Sequence, residues 1–284
     1  MFTSLQNAGL LGMILAVSPA ALAANEAVGD GQYPFIVSIQ NKAAGPDATQ
    51  AHKCGGTLIA PDWVLTSAQC ATFFMTTKQN PEPKPEMVEV IVGRTVLGDE
   101  AQGKRVQVKA FYRHPLYAGN VSNPTEMKTG YNIALFHLAE PVVGVDPVAL
   151  PAADETGFEL DGFLFDSVGW NGQFPTTTRT LVQRLQRTQL SYVPHSQCQT
   201  PSKEGLEMCV VDYAHACAET GSRVDNLPGD MGGALFTLVP GIGPVQVGSN
   251  ARNQSCGAIN KPSVYTRLAN PEIAGFITRT LGLD

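Results

Sequence analysis

The chain has 284 residues, of which 43% are hydrophobic, and contains 28 Gly and 20 Pro. It is long enough to bury one large core or two modest ones, and its many turn-forming residues favour a β-rich architecture. The formal net charge of −6 is spread along the chain without basic runs, which argues against nucleic acid or an anionic membrane as a partner.

The N-terminus has the features of a secretory signal peptide. A short apolar run covers residues 10–17, and Ala21-Leu22-Ala23 supplies small residues at the spacing that signal peptidase cleaves. The alternative, a membrane anchor, is disfavoured because so short a run cannot cross a hydrocarbon layer of about 30 Å. We therefore predict that residues 1–23 are removed and that the mature protein is secreted and extracellular.

Short runs of β-branched or alternating apolar residues recur between turn clusters in the rest of the chain, a pattern typical of strands. The first set is predicted at residues 35–40, 56–59, 64–66, 87–92, 106–111 and 133–138. The second set is predicted at residues 162–168, 185–190, 207–211, 233–238, 245–250 and 263–267. A segment rich in Pro, Gly and Asp at 140–158 separates them, which indicates two halves at about 30–140 and 158–268.

The end of the chain has the signals of a helix. Asn270 and Pro271 are suited to the cap and the first helical position. Ile273, Phe276, Ile277 and Leu281 then repeat at helical spacing. The sequence predicts a C-terminal helix over residues 271–281.

Six cysteines in a secreted chain indicate disulfides, and six cysteines allow 15 pairings that the sequence alone does not separate. The five histidines show no metal-ligand spacing, so we expect neither a metal site nor a cofactor. Two tripeptides, beginning at Asn120 and Asn253, fit the glycosylation sequon.

Three segments, taken in order and spacing, resemble the chymotrypsin/trypsin family of serine proteases. Residues 33–40 are similar to the first strand of that family, residues 54–59 to its Cys-Gly-Gly-Ser-Leu-Ile segment, and residues 262–267 to its late Pro-Gly-Val-Tyr-Thr strand. The resemblance covers nearly all of residues 24–284. It implies an all-β protein of two six-stranded antiparallel barrels of trypsin-like type with a C-terminal helix.

The positions that would carry the catalytic triad of that family hold other residues. Met231 lies in a Gly-Asp-Met-Gly-Gly segment that resembles the nucleophile loop, whose oxyanion-binding part would include Gly229 and Asp230. A thioether has no proton to lose and cannot form an acyl-enzyme. Gln69 replaces the general-base histidine in a Trp-Val-Leu-Thr-Ser-Ala-Gln-Cys segment, and Asn132 replaces the carboxylate before Ile-Ala-Leu. The resemblance therefore implies a protease scaffold without an intact triad.

The specificity pocket is altered as well. Asp225 lies six residues before Met231, where trypsin-like members bind basic side chains. The family's Ser-Trp-Gly corresponds to Ala251-Arg252-Asn253, and Ser263 stands where the family has the Gly of Pro-Gly-Val-Tyr. By this analogy Asn253 and Ser263 would fill space reserved for a substrate, and Arg252 would either pair with Asp225 or remain solvated.

The activation segment of the family is also missing. Active members pair a new α-amino group, from an Ile-Val-Gly-Gly segment, with the aspartate that precedes the nucleophile, whereas residues 22–25 here read Leu-Ala-Ala-Asn. Asp230 would then lack its usual cationic partner. Because a buried unpaired carboxylate is costly, we expect Asp230 to be protonated, reoriented or solvated.

The resemblance also implies a disulfide pattern, in which Cys54 pairs with Cys70 and Cys198 with Cys209. Cys217 would pair with Cys256, although Cys217 lies well upstream of the family position, which is occupied here by Leu227.

The interpretation that we favour is a secreted, catalytically inactive protease homologue that acts by binding an extracellular protein, as an inhibitor, decoy or cofactor of another hydrolase. Secreted glucanase inhibitor proteins are similar in kind. One alternative is a serine-type endopeptidase with a rearranged site, using a relocated nucleophile such as Ser249 or Ser255. The other alternative is a structural or adhesive extracellular protein.

Overall fold

A computed structural model describes residues 26–75, 83–118, 130–171, 181–198, 202–211, 230–252 and 262–283. The strands are β1 (Glu26–Ala27), β2 (Ile36–Asn41), β3 (His52–Ala60), β4 (Trp63–Thr66), β5 (Val88–Val92), β6 (Lys104–Arg113), β7 (Ala134–Leu138), β8 (Leu164–Asn171), β9 (Leu181–Val193), β10 (Glu207–Val211), β11 (Ala234–Val239), β12 (Gly243–Arg252) and β13 (Ser263–Arg267). The α-helices are α1 (Ala48–Ala51), α2 (Ala68–Thr72) and α3 (Pro271–Leu281).

The first six long strands form a closed antiparallel barrel in the order β2-β3-β4-β7-β6-β5. Alternation of side chains places Ile39, Leu58, Val90 and Phe136 in the interior, where none of them is exposed to solvent. Closure comes from β2, which pairs with β3 on one side and with β5 on the other. The barrel therefore has no free edge strand.

The second half forms another ring, in the order β9-β10-β13-β12-β11-β8, and pairing between β8 and β9 closes it. The short strand β1 joins the outside of this ring, with Glu26 opposite Arg187. Arg187 Nη1 lies 2.9 Å from Glu26 Oε2, and Arg187 Nε lies 2.8 Å from Asp166 Oδ1. The pair with Glu26 holds the start of the described chain against the second barrel, and the pair with Asp166 anchors Arg187 within that barrel.

The largest hydrophobic cluster extends from the first barrel across the interface into the second. Phe236 of β11 contacts Tyr33 and Phe35 edge to face, with ring centroids 5.2 and 5.5 Å apart. A separate cluster fills the second barrel around Phe165. The aromatic contacts fix one barrel against the other, so the two halves share a core.

Helix α3 packs against the first barrel, although it follows the last strand of the second. Asn270 caps it, because its Oδ1 accepts the backbone N–H groups of Glu272 and Ile273. Ile273, Phe276 and Ile277 pack with Ile133 and Leu135 in one cluster. The helix thus closes the structure over the segment that leads into β7.

The architecture confirms the predicted fold class of two six-stranded antiparallel barrels and a C-terminal helix. The predicted bounds of β10, β13 and α3 agree with the structure. Several predicted strands were too short, because 56–59 extends to the whole of β3, 106–111 to β6, 185–190 to β9 and 245–250 to β12. Strand β3 gains residues through its ladder to β2, and β9 gains residues through its ladders to β1, β8 and β10.

Candidate functional site

Gln69 lies on α2, a short helix directly after β4. Ser67 caps the N-terminus of the helix, since its Oγ accepts the Cys70 backbone N–H at 3.2 Å. A disulfide between Cys54 and Cys70 fastens the helix to β3. The position of Gln69 is therefore set by a cap on one side and a covalent link on the other.

Asn132 joins that helix to the second barrel. Its Oδ1 accepts the backbone N–H of Gln69 at 2.9 Å, and its Nδ2 donates to the carbonyl oxygen of Ala251 at 3.3 Å. The hydroxyl of Thr266 donates to the Asn132 carbonyl oxygen at 3.2 Å. With only 5% of its surface exposed, Asn132 uses both ends of its amide inside the protein.

Met231 lies in a loop that is pressed against β3 and β4. Its carbonyl oxygen accepts the backbone N–H of Gly55 at 3.1 Å and lies 3.2 Å from Cys70 Sγ. The next residue, Gly232, has φ +83°, and a Cβ there would lie 2.1 Å from Thr66 Oγ1, so the tight approach requires glycine. The Met231 side chain is 8% exposed and belongs to the cluster that contains Cys54 and Cys70.

The structure thus brings the three predicted triad positions to one place between the barrels. Gln69 and Asn132 are joined by a hydrogen bond, and Met231 contacts the disulfide that carries the Gln69 helix. Within the described ranges, Gln69 Oε1 is buried and accepts no hydrogen bond. Two amides and a thioether contain no group that titrates near neutral pH, so these side chains offer neither a general base nor an ionisable nucleophile.

Asp230 is oriented into the protein beside a buried histidine. Its Oδ1 accepts the backbone N–H of Trp170 at 2.9 Å and lies 3.9 Å from His52 Nε2, and the carboxylate side chain is 15% exposed. Gly169 makes room for it, because a Cβ there would lie 2.2 Å from the carboxylate. His52, which lies far from Asp230 in the sequence, is a neighbour that the sequence does not predict.

His52 has well-defined surroundings of its own. The ring is 1% exposed, its Nδ1 lies 2.6 Å from Ser38 Oγ, and Trp170 packs edge to face on it with centroids 5.3 Å apart. The sequence signal for it was its position two residues before Cys54, just ahead of the segment 54–59 that resembles the trypsin-like family.

The pocket hypothesis falls largely outside the described residues. Asp225, Gly229 and Asn253 are not among them, and of Arg252 only the backbone, at the end of β12, is described. Ser263 is buried in β13, opposite Val210. A pairing of Arg252 with Asp225 therefore stays a prediction.

Tyr265, two residues after Ser263, belongs to the hydrophobic cluster that fills the second barrel. It is fully buried, and its hydroxyl lies 3.0 Å from Ser167 Oγ. Burial raises the pKa of Tyr265 to about 12, so the phenol stays neutral at physiological pH.

Two of the three predicted disulfides are confirmed, Cys54 with Cys70 and Cys198 with Cys209. Cys217 and Cys256 lie outside the described residues, as do the sequon residues Asn120 and Asn253. In the part of the chain that the structure describes, no group of three or more His, Cys, Asp or Glu side chains could hold a metal ion. No described helix is both long and apolar enough to cross a membrane.

Comparisons with known proteins agree with the fold. The Trypsin family model matches residues 24–273. Chymotrypsin-like elastase family member 1 of Macaca fascicularis is 30% identical over 247 residues, covering 85% of this chain and 83% of the relative. The human protein of the same name is 28% identical over 244 residues, covering 85% of each chain.

A solved structure supports the architecture independently. The VesB protease of Vibrio cholerae superposes with a TM-score of 0.68 at 22% identity, covering 90% of this chain and 67% of that one. Since the family model spans the whole region in which both barrels lie, the chain belongs to the trypsin family of serine protease homologues.

Proposed function

We propose that this protein is a secreted, catalytically inactive member of the trypsin family that acts by binding another extracellular protein. The observation that carries the proposal is the set of side chains at Gln69, Asn132 and Met231. Acyl transfer by this type of site needs a nucleophile that loses a proton and a base that accepts it. An amide and a thioether supply neither.

The surroundings of Asn132 support the loss of the triad. Its Nδ2 donates to the Ala251 carbonyl, a bond that a carboxylate would be unable to make. Position 251 holds Ala where active members have Ser, so the neighbour lacks a hydroxyl to donate to a carboxylate. The amide and its neighbour are thus matched to each other.

The alternative of a relocated nucleophile receives little support from Ser249. This residue is fully buried, and its hydroxyl donates to the Gly232 carbonyl at 3.3 Å. A serine in that setting is neither accessible to a substrate nor activated by a base. Ser255, the other candidate, lies outside the described residues.

Secretion and protein binding are the remaining parts of the proposal. Two disulfides are typical of an oxidising compartment, which fits an extracellular protein. A negative net charge without basic runs favours a protein partner over nucleic acid or an anionic membrane. We place the partner among hydrolases, for which the protein would act as inhibitor, decoy or cofactor, on the resemblance to secreted inhibitors of this fold.

The first experiment tests catalysis. Purified protein is incubated with a fluorophosphonate probe and with a panel of peptide amides, beside an active trypsin-like protease at equal concentration. We expect no covalent serine label and no turnover above buffer. Labelling at a serine that disappears in the matching Ser→Ala variant would establish the rearranged-peptidase alternative instead.

The second experiment tests binding. Tagged protein is used to capture partners from the extracellular fluid of its source, with an active trypsin-family protein carrying a Ser→Ala change at its nucleophile as the matched bait. We expect a hydrolase that binds this chain and not the control, and whose activity changes when purified protein is added. Recovery of matrix components alone would favour the structural or adhesive alternative.

A further inference from the structure

The second disulfide lies in surroundings unlike those of the first. Cys209 lies in the middle of β10, opposite Val193 on β9 and Val264 on β13. Cys198 follows the turn that begins at His195, whose carbonyl oxygen accepts the Cys198 backbone N–H at 3.0 Å. The bond therefore ties a surface turn to a core strand.

The two cysteine residues differ in their access to solvent. Cys209 is 1% exposed and packs with Val193, Val211 and Val264, whereas Cys198 is only half-buried at the edge of that cluster. A thiol from solution can therefore approach Cys198 Sγ, and Cys209 becomes the leaving group. An apolar setting disfavours a thiolate, so Cys209 would leave poorly without a proton donor.

A hydroxyl and an imidazole lie where such a donor is needed. Ser202 Oγ is 3.6 Å from the sulfur atoms of both Cys198 and Cys209, and it is 3.2 Å from His195 Nδ1. The side chains of Ser202 and His195 are partly exposed, so the imidazole can exchange protons with water. The geometry connects solvent to the buried sulfur through two polar groups.

We infer that Cys198 and Cys209 form a thiol-exchange site, at which Cys198 accepts the thiolate of a small-molecule or protein thiol. The incoming thiolate forms a disulfide with Cys198 Sγ as the bond to Cys209 breaks and its electron pair passes to Cys209 Sγ. Ser202 donates a proton to that sulfur and regains one from His195. The products are a mixed disulfide at Cys198 and a thiol at Cys209, and a second thiol releases the first as an external disulfide.

The first disulfide provides an internal control. Cys54 and Cys70 are both fully buried, in the large cluster between the barrels. Their reduction needs the site around Met231 to open, whereas reduction at Cys198 does not. The two bonds of one molecule should therefore respond very differently to a thiol.

The experiment measures the rate of reduction of each disulfide in the full-length protein. Dithiothreitol is added under native conditions, samples are quenched with acid and alkylated, and the cysteine peptides are quantified by mass spectrometry. We expect the Cys198–Cys209 bond to open first. Ser202→Ala should slow that step about tenfold, the scale of one hydrogen bond to a charged acceptor, and leave the Cys54–Cys70 rate unchanged.

The controls separate proton donation from a merely structural role. Ser202→Thr keeps the hydroxyl and should react at the wild-type rate, whereas His195→Asn should be slow, and thermal unfolding should show all variants equally folded. With glutathione, the trapped adduct should lie on Cys198. An unchanged rate in Ser202→Ala, an adduct on Cys209, or equal slowing of both disulfides would overturn the inference.

Discussion

The side-chain amide of Asn132 makes a hydrogen bond through its oxygen and another through its nitrogen. Replacement by aspartate, which has the same shape, changes only the nitrogen and therefore tests the hydrogen bond to Ala251. In Asn132→Asp the donor to Ala251 is lost, and a carboxylate oxygen faces a carbonyl oxygen across about the same distance. At 5% exposure solvent cannot compensate, so we expect the free energy of unfolding to fall by about 1–3 kcal/mol at neutral pH. Chemical denaturation measures the loss.

The matched variant is Ala251→Ser, which restores the serine of the family's Ser-Trp-Gly segment at the residue whose carbonyl faces that carboxylate. It should recover part of the loss in the double variant and cost little or nothing alone, giving a favourable coupling energy in the double-mutant cycle. Equal stability of Asn132→Asp and wild type at neutral pH would contradict the assigned hydrogen bond.

The buried side chain of His114 should make the free energy of unfolding depend on pH. Burial lowers the pKa of His114 below its ordinary value of 6.5, against the opposing effect of nearby Glu272. The ring stacks on Tyr131 with centroids 4.6 Å apart, and the Leu116 backbone N–H reaches its Nδ1 at 3.3 Å, which requires a neutral nitrogen.

Below about pH 6.5 the unfolded chain gains a proton at His114 that the folded protein resists, so the free energy of unfolding falls as the pH is lowered, until the folded pKa is reached. His114→Gln removes this titration. We expect wild type to lose more stability than the variant between about pH 7.5 and pH 5, as followed by urea unfolding. Parallel pH profiles for the two proteins would refute the assignment.

At the level of single residues, the sequence predicted which residues occupy the candidate site better than it predicted the contacts that those residues make. Gln69, Asn132 and Met231 were found because each lies in a contiguous motif. The contact between Asp230 and His52 joins residues far apart in the chain, as does the bond from Asn132 to Ala251. Such contacts depend on how the barrels meet, which no local pattern encodes.

Helix α3 was predicted with correct bounds because its signals are local, and its cap is testable. Asn270 Oδ1 accepts two backbone N–H groups of the first turn, while its Nδ2 donates to the Gly205 carbonyl oxygen at 2.9 Å. Asn270→Ala should lower the free energy of unfolding by about 1 kcal/mol.

The control is Asn270→Asp, which keeps the capping oxygen and loses only the bond to Gly205. It should retain most of the stability in thermal or chemical unfolding. If both variants lost the same amount, the contribution would come from the contact with Gly205 and not from the cap.

Strands were harder to delimit than this helix. Strand β9 extends through Gln183 and Arg184, and β3 begins at His52, although these residues have no strand-like apolar pattern. Strand β9 is extended by ladders to β1, β8 and β10, and β3 by its ladder to β2, where Ile39 faces Cys54. The length of a strand depends on the neighbouring strands with which it pairs. The sequence patterns therefore predicted the centres of the strands but not their ends.

At the scale of the whole molecule, the barrels are joined by a core that neither could complete alone. Phe236 fills the interface against Tyr33 and Phe35, and the hydroxyl of Thr57 in the first barrel donates to Gln246 Oε1 in the second at 2.6 Å, fully buried. The sequence predicted two halves but could not rank the contacts between them, because apolar residues on strands look alike whether they face a barrel interior or an interface.

Phe236→Ala tests whether that interface makes the barrels unfold together. Removing a fully buried phenylalanine should cost about 3–5 kcal/mol, and because the lost contacts belong to both barrels, amide hydrogen exchange should rise in β2 and β3 as well as in β11 and β12. The matched control is Phe165→Ala, at a buried phenylalanine in the separate cluster inside the second barrel. It should cost a similar amount but raise exchange mainly in the second barrel. Increases confined to the second barrel in both variants would mean that the two halves unfold as independent units.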